Sequence, residues 1–284
     1  MPHWVIQANL FREDGHERLL DALARLGISH SVHKVIPFTG ILEPPEPTIS
    51  DDYPLLMTAV VIGSYTLCRI AVERRWRPGA FVGPGLDFEV QVQHWSDILL
   101  NTGAHVCAFG DVPEQARPFF LRPTLDSKAF SGNVYDWPEF VEWRDKVLAL
   151  SPEDGWQLNA ATRVMVCPRR EIWTETRFWI IDGRVVTSSR YKIGTRVIAG
   201  GAHTPDCDPV AMLAERVAGR DGMTPGDLCA ACGDMPCRWQ PHRAYCLDIA
   251  ETPDGPRIIE VNCLNASGFY GADLGKLVYA IERM

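Results

Sequence analysis

The stretch Ala244-Tyr245-Cys246-Leu247-Asp248-Ile249-Ala250, then Glu251-Thr252-Pro253-Asp254-Gly255-Pro256, then Arg257-Ile258-Ile259-Glu260-Val261-Asn262 decides how the chain is read. Two apolar runs enclose Pro-Asp-Gly, where Pro presets φ and Gly accepts positive φ, so two adjacent strands closed by a turn are predicted. Side chains alternate faces along a strand, which puts Glu260 and Asn262 on one side and Val261 on the other. Pairing through the turn can bring Asp248 onto that same face. Two carboxylates and an amide oxygen at one spot are hard donors suited to Mg²⁺ held against substrate phosphates rather than in a closed cage. A surface hairpin with scattered acids explains Glu251 and Asp254. It explains Glu260 poorly, because that acid sits inside an apolar run and a buried charge needs a partner or a metal.

The surrounding composition bounds the answer. The chain has 284 residues, 46% of them hydrophobic, enough for one large or two modest domains. A net charge of −8 argues against a general nucleic-acid binder, which would carry a basic face. No apolar run approaches the roughly 20 residues of a membrane span, and Met1-Pro2-His3-Trp4 opens without the features of a signal peptide, so a cytoplasmic location is expected. Nine cysteines then read mostly as free thiols. Cys229, Cys232 and Cys237 have the ligand type for a structural zinc. The spacing lacks the second tight pair of a zinc ribbon, and a loop with incidental thiols is favoured.

Outward from the hairpin, the first half alternates strands and helices. Strands are predicted at 3–8, 31–37, 57–64 and 104–109, with helices at 14–26, 65–76 and 88–100. This alternation implies βαβ units and a mainly parallel sheet. The boundary is placed at 110–118, giving an N-terminal α/β domain of residues 1–112 and a second domain of 113–284. In the second domain, strands are predicted at 118–122 and 162–167, and helices at 137–150, 208–218 and 272–283. A hairpin over 175–189 turns on Asp182-Gly183, a strong two-residue turn signal. The overall class is α/β, becoming α+β toward the C-terminus.

Several cations stand out. Lys128 lies in Asp126-Ser127-Lys128-Ala129-Phe130-Ser131-Gly132, a small-residue loop from which an ammonium could reach phosphate oxygens, although a solvated loop lysine is the usual case. Arg122 interrupts Phe119-Phe120-Leu121 within a strand and calls for an acidic or phosphate partner. Strand alternation gives Glu175 and Arg177 one face, and Arg190 and Lys192 another shared face. Cross-strand Glu–Arg pairing alone would also account for these four residues.

Asp248, a turn, and Ile259-Glu260-Val261-Asn262, continued by Asn265-Ala266-Ser267-Gly268-Phe269-Tyr270-Gly271-Ala272-Asp273-Leu274, resemble the metal-binding end of the ATP-grasp superfamily. The resemblance extends over about residues 113–284, to a clade named for one arginine and two lysines. It implies a pre-ATP-grasp domain followed by an ATP-grasp domain, with Mg²⁺ on Asp248, Glu260 and Asn262. It further implies phosphate-binding lysines at Lys128 and Lys192, a ribose-binding acid at Glu175, an adenine hinge at Met165-Val166-Cys167-Pro168, and Arg122 as the clade's arginine. The implied activity is an ATP-dependent ligation of a small-molecule or peptide carboxylate to an amine or other nucleophile. Alternatives are an ATP-dependent phosphotransferase, or a nucleotide-binding module of a conflict system without turnover. In one respect the sequence departs from the pattern. Many such ligases carry an arginine two residues before the metal-binding aspartate, where this chain has Cys246, so the arginine that stabilises acyl transfer is Arg177 or Arg190.

Overall fold

The structure, a computed structural model, describes residues 1–8, 15–36, 40–44, 58–125, 129–150, 158–205, 207–219 and 239–284. The chain is mixed α/β and divides into two compact units, Met1–Gly83 with Trp173–Met284, and Pro84–Ile172.

The first unit holds two five-stranded sheets. One contains β1 (His3–Gln7), β2 (His30–Val35), β3 (Leu42–Glu43), β4 (Thr58–Ile62) and β5 (Arg77–Gly79) in the order β3-β2-β1-β4-β5. It is parallel except at the β2–β3 edge. Two helices belong to this half, α1 (Gly15–Arg25) and α2 (Tyr65–Glu73). Leu19, Ala22 and Leu23 form the buried stripe of α1, and Ser64 caps α2 by accepting from the Leu67 N–H. The βαβ expectation therefore holds through β5.

The second sheet is antiparallel. It contains β10 (Thr174–Ile181), β11 (Arg184–Ile193), β12 (Arg196–Ala202), β13 (Ala244–Thr252) and β14 (Gly255–Cys263), ordered β12-β11-β10-β13-β14. Asp182 and Gly183 both take positive φ, 45° and 72°, which matches the twist of a two-residue hairpin turn. In the other hairpin the ladder runs on to Thr252↔Gly255, so the turn shrinks to Pro253-Asp254 and most of the anticipated loop is strand. Helix α5 (Pro209–Ala218) has Asp208 as its cap, accepting from the Val210 N–H at 2.8 Å, and ends on Gly219 at φ 76°. Helix α6 (Leu274–Glu282) closes the chain.

One core joins both sheets of this unit. Trp4, Ile6, Val60 and Ile62 of the parallel sheet meet Trp179, Ile181 and Cys246 of the antiparallel one, with Leu19 and Leu23 of α1 and Leu277, Val278 and Ile281 of α6. Asn265, fully buried just past β14, fastens the junction. Its side chain donates to the Val61 carbonyl at 2.6 Å and accepts from the Phe81 N–H at 2.6 Å, while its own carbonyl accepts from Gly63 N–H at 2.9 Å.

The second unit is a four-stranded antiparallel sheet of β6 (His105–Ala108), β7 (Phe119–Pro123), β8 (Asn133–Tyr135) and β9 (Arg163–Pro168), ordered β6-β9-β7-β8. It also contains α3 (Phe88–Trp95) and α4 (Trp137–Leu148). Phe109, Phe119 and Phe140 fill its core, with Trp143 and Tyr135 stacked at 5.2 Å on its edge. This corrects the reading of 104–109 as another parallel strand, because β6 pairs antiparallel with β9. Alternation of strand and helix fixes the type of element and leaves the partner open. Phe109 and Phe119, which flank the boundary expected at 110–118, share this one core. Among the described residues no helix is long and apolar enough to cross a membrane.

Replacing Asn265 with Ala strands the Val61 carbonyl and the Phe81 N–H in a dry interior. At about 1–3 kcal/mol for each orphaned group, a loss of about 2–6 kcal/mol is expected. Thermal denaturation should register it as a drop of roughly 4 °C or more, using about 2–4 °C per kcal/mol for a chain of this size. An unchanged melting temperature would show that Asn265 does not join the sheets.

Candidate functional site

The site is built across β10, β13 and β14. The ladder aligns Arg177 with Asp248, and Asp248 with Glu260, so three charged residues stand side by side on adjacent strands. Cys246 pairs with Asn262 one step along the same face. The convergence of Asp248, Glu260 and Asn262 anticipated from the hairpin is thus present in the register. Asp248 and Asn262 are buried and Glu260 is half-buried.

Asp248 is held by a fork. Arg177 Nε donates to Oδ1 at 2.8 Å and Nη2 donates to Oδ2 at 2.7 Å, while the Asn262 amide nitrogen donates to Oδ2 at 3.1 Å. Burial pushes the Asp248 carboxyl up, Arg177 opposes it, and Glu260 and Glu175 push the same way as burial. Burial also works against the charge on Arg177, yet Asp248 outweighs it and holds the guanidinium protonated. Both carboxylate oxygens accept from the fork, and that geometry decides for the ion pair.

A second pair lies alongside. Lys192 Nζ is 2.5 Å from Glu175 Oε1, and the Tyr191 hydroxyl donates to Glu175 Oε2 at 2.8 Å. The same hydroxyl is 3.5 Å from Asp248 Oδ2. Its ring stacks on Tyr270 at 4.6 Å, and the Arg177 guanidinium lies 5.6 Å from one ring and 5.3 Å from the other.

The bulge that makes this possible also corrects the expected faces of β11. Glu175 pairs with Lys192 and Thr176 with Arg190, with Tyr191 as the extra residue. Arg190 and Lys192 are therefore separated. Lys192 joins the site face, whereas Arg190 turns to the α5 side and pairs with Asp208 at 2.5 Å. Glu175 and Arg177 do not simply neutralise each other, since each has its own partner on another strand. Tyr191 was missed because strict alternation puts it opposite its neighbours, and no composition signal marks the bulge.

Of the remaining expected residues, Arg122, Val166 and Cys167 lie in the other unit. Arg122 is buried on β7, its Nε 3.3 Å from Met165 Sδ and its guanidinium 5.7 Å from the Phe88 ring. Val166 and Cys167 are buried on β9, and burial pushes the Cys167 thiol up to about 11. Pairing with β6 ends at Val166, whereas pairing with β7 continues to Pro168. Lys128 lies outside the described residues, as do Cys229, Cys232 and Cys237. Among the described residues no group of three or more His, Cys, Asp or Glu gathers around one point.

The donor chemistry fits Mg²⁺. A carboxylate has about four lone-pair sites, of which the Arg177 fork uses one on each Asp248 oxygen and the Asn262 amide a second on Oδ2. The Asn262 amide presents its nitrogen to Asp248, and its oxygen is the end suited to a cation. Together with Glu260 these are hard oxygens and too few to enclose an ion, which suits a metal that retains water and bridges phosphates.

A family model matches residues 69–281, the ATP-grasp domain of family 3 in the clade named for an arginine and two lysines. The chain belongs to this ATP-grasp family. Solved structures agree on the fold. A RimK domain ATP-grasp protein from Sphaerobacter thermophilus is 18% identical, with a TM-score of 0.52 over 99% of this chain and 94% of that one. D-alanine–D-alanine ligase from Bacillus anthracis complexed with ATP is 14% identical, with a TM-score of 0.54 over 99% and 96%. The ATP-grasp ligase PsnB complexed with a minimal precursor is 14% identical, with a TM-score of 0.51 over 100% and 99%. No curated protein matches. Within the ATP-grasp fold, the chain departs from the expected arginine two residues before Asp248, and Arg177 reaches the same carboxylate from the neighbouring strand.

Arg177→Met would leave Asp248 charged, buried and without its cation. A destabilisation of about 3–5 kcal/mol is expected from urea unfolding, with much of it recovered in the double variant Arg177→Met, Asp248→Leu. Equal losses in the single and double variants would exclude the ion pair as the structural tie between β10 and β13.

Proposed function

We propose that the protein is an ATP- and Mg²⁺-dependent ligase that activates a carboxylate as an acylphosphate for attack by an amine or another nucleophile. The observation that carries this reading is the alignment of Arg177, Asp248 and Glu260 across three strands, with Asn262 beside them. Family membership supports the nucleotide, and the fold is shared with D-alanine–D-alanine ligase and PsnB, one named for an amino-acid substrate and the other complexed with a precursor. We take the substrate to be an amino-acid or peptide carboxylate on that support.

In this mechanism, Asp248, Glu260 and Asn262 hold the metal, which would neutralise charge on the phosphates of ATP. Lys192 and Lys128 bind phosphate oxygens, Glu175 accepts from the ribose hydroxyls, and Val166 and Cys167 contact adenine through their backbone. Arg122 acts as the further cation of the clade. The substrate carboxylate attacks the γ-phosphorus and ADP leaves. The nucleophile then attacks the acyl carbon, an oxyanion develops, and phosphate departs. Both arginines have an aspartate partner, and Arg177 is the one on the site face and so the one suited to that oxyanion, because Arg190 turns to the other side of the sheet. In this reading residues 1–112 help bind substrate, residues 113–284 carry the nucleotide residues, and the protein works in the cytoplasm.

ADP release measured across a panel of acids and amines tests the reading. ADP should form only with Mg²⁺ and with an acid and an amine together, and hydroxylamine should trap the activated acid. Glu260→Gln should lower the rate about 100-fold or more, since a metal-charge contribution of several kcal/mol is lost. A wild-type protein that binds no ATP with any divalent cation would sink the ligase reading. Phosphate left on the acceptor, with no new amide, would instead indicate a phosphotransferase.

A further inference from the structure

The Tyr191 hydroxyl has one proton and two carboxylates within reach, Glu175 at 2.8 Å and Asp248 at 3.5 Å. These are the acids assigned above to the ribose and to the metal. Nothing in the family pattern matched to this sequence gives Tyr191 a role. Its position depends on a device that costs regularity, the bulge that adds it between Arg190 and Lys192.

The Lys192–Glu175 pair shows why a tyrosine is needed there. Lys192 is spent on Glu175 in this structure, and in the proposed function it binds phosphate. One ammonium cannot serve both at full strength. When Lys192 turns to phosphate, Glu175 loses its cation and keeps the phenol as its donor. The phenol is itself held in place. Its ring stacks on Tyr270, Arg177 lies against both rings, and Arg177 is forked to Asp248. Asp248 Oδ2 collects donors from Arg177 and Asn262, with the phenol as a third and longer contact.

We propose that Tyr191 is a positioning residue that ties the ribose carboxylate, Glu175, to the metal carboxylate, Asp248, so that recognition of the ribose and binding of the divalent cation depend on one another. The inference rests on the nucleotide reading above. Two sites that share a held group are coupled, and the coupling acts in both directions.

The test is calorimetric binding of ATP and of 2′,3′-dideoxy-ATP to the full chain over a series of Mg²⁺ concentrations, for wild type and Tyr191→Phe. Phe keeps the stacked ring and removes only the hydroxyl. Wild type should prefer ATP over the dideoxy analogue, and Tyr191→Phe should reduce that preference about tenfold, the value of one hydrogen bond to a charged group. The Mg²⁺ concentration that half-saturates ATP binding should rise by a similar factor. A purely structural role would lower the melting temperature and leave the ATP-to-dideoxy ratio unchanged, which would overturn the proposal. A change in the ratio without a change in the Mg²⁺ midpoint would overturn the link to Asp248. Failure of the wild type to bind ATP would overturn the function reading itself, and the wild-type titration alone reveals that case.

Discussion

A guanidinium forked onto a carboxylate in the middle of an antiparallel sheet is the constraint on which the rest depends. Asp248 sits where burial opposes its charge, so it is tolerable as an ion only because Arg177 stands opposite on β10 and reaches both oxygens. That requirement fixes the register of β10 against β13. The register of β13 against β14, shifted by a bulge between Asp248 and Ile249, then places Glu260 beside Asp248. Charge, register and site geometry are therefore one fact seen at three scales.

The segment after β14 carries this arrangement into the rest of the first unit. Asn265 ties to the parallel sheet, Gly271 N–H donates to Ser189 Oγ at 3.0 Å, and Asp273 N–H donates to Thr187 Oγ1 at 2.9 Å. Arg18 of α1 donates to the carbonyls of Tyr270 and Ala272. Gly271 is required here, since a Cβ would meet the Gly200 carbonyl at 2.5 Å. Tyr270 takes φ 45°, an uncommon conformation for a bulky residue, and that turn in the chain brings its ring onto Tyr191. The loop thus delivers an aromatic ring to the site from a backbone pinned on three sides.

Much of this was legible in the sequence wherever the signal was local. Pro-Asp-Gly and Asp182-Gly183 announced their hairpins, and period-2 alternation put Glu260 and Asn262 on one face, which Asp248 joins through a bulge in the ladder. What could not be read was pairing at a distance. The destination of β6 depends on β9, more than fifty residues later, and no residue of either strand encodes that choice. Cross-strand pairing within its own hairpin was the partner open to Arg177 in the sequence, but the carboxylate it meets lies on a strand about seventy positions away. Tyr191 was invisible for another reason, because a rule of strict alternation fails wherever one residue is added.

The bulge in β11 has a consequence for how this chain tolerates change. A deletion of one residue there would give a straighter, better-paired ribbon, and by local criteria an improved one. It would also remove the phenol that lies between Glu175 and Asp248, although Lys192 would still stand opposite Glu175. The most regular version of the hairpin and the useful version are different molecules. Such a strand keeps an apparent defect because its irregularity is what brings a phenol and an ammonium onto one carboxylate.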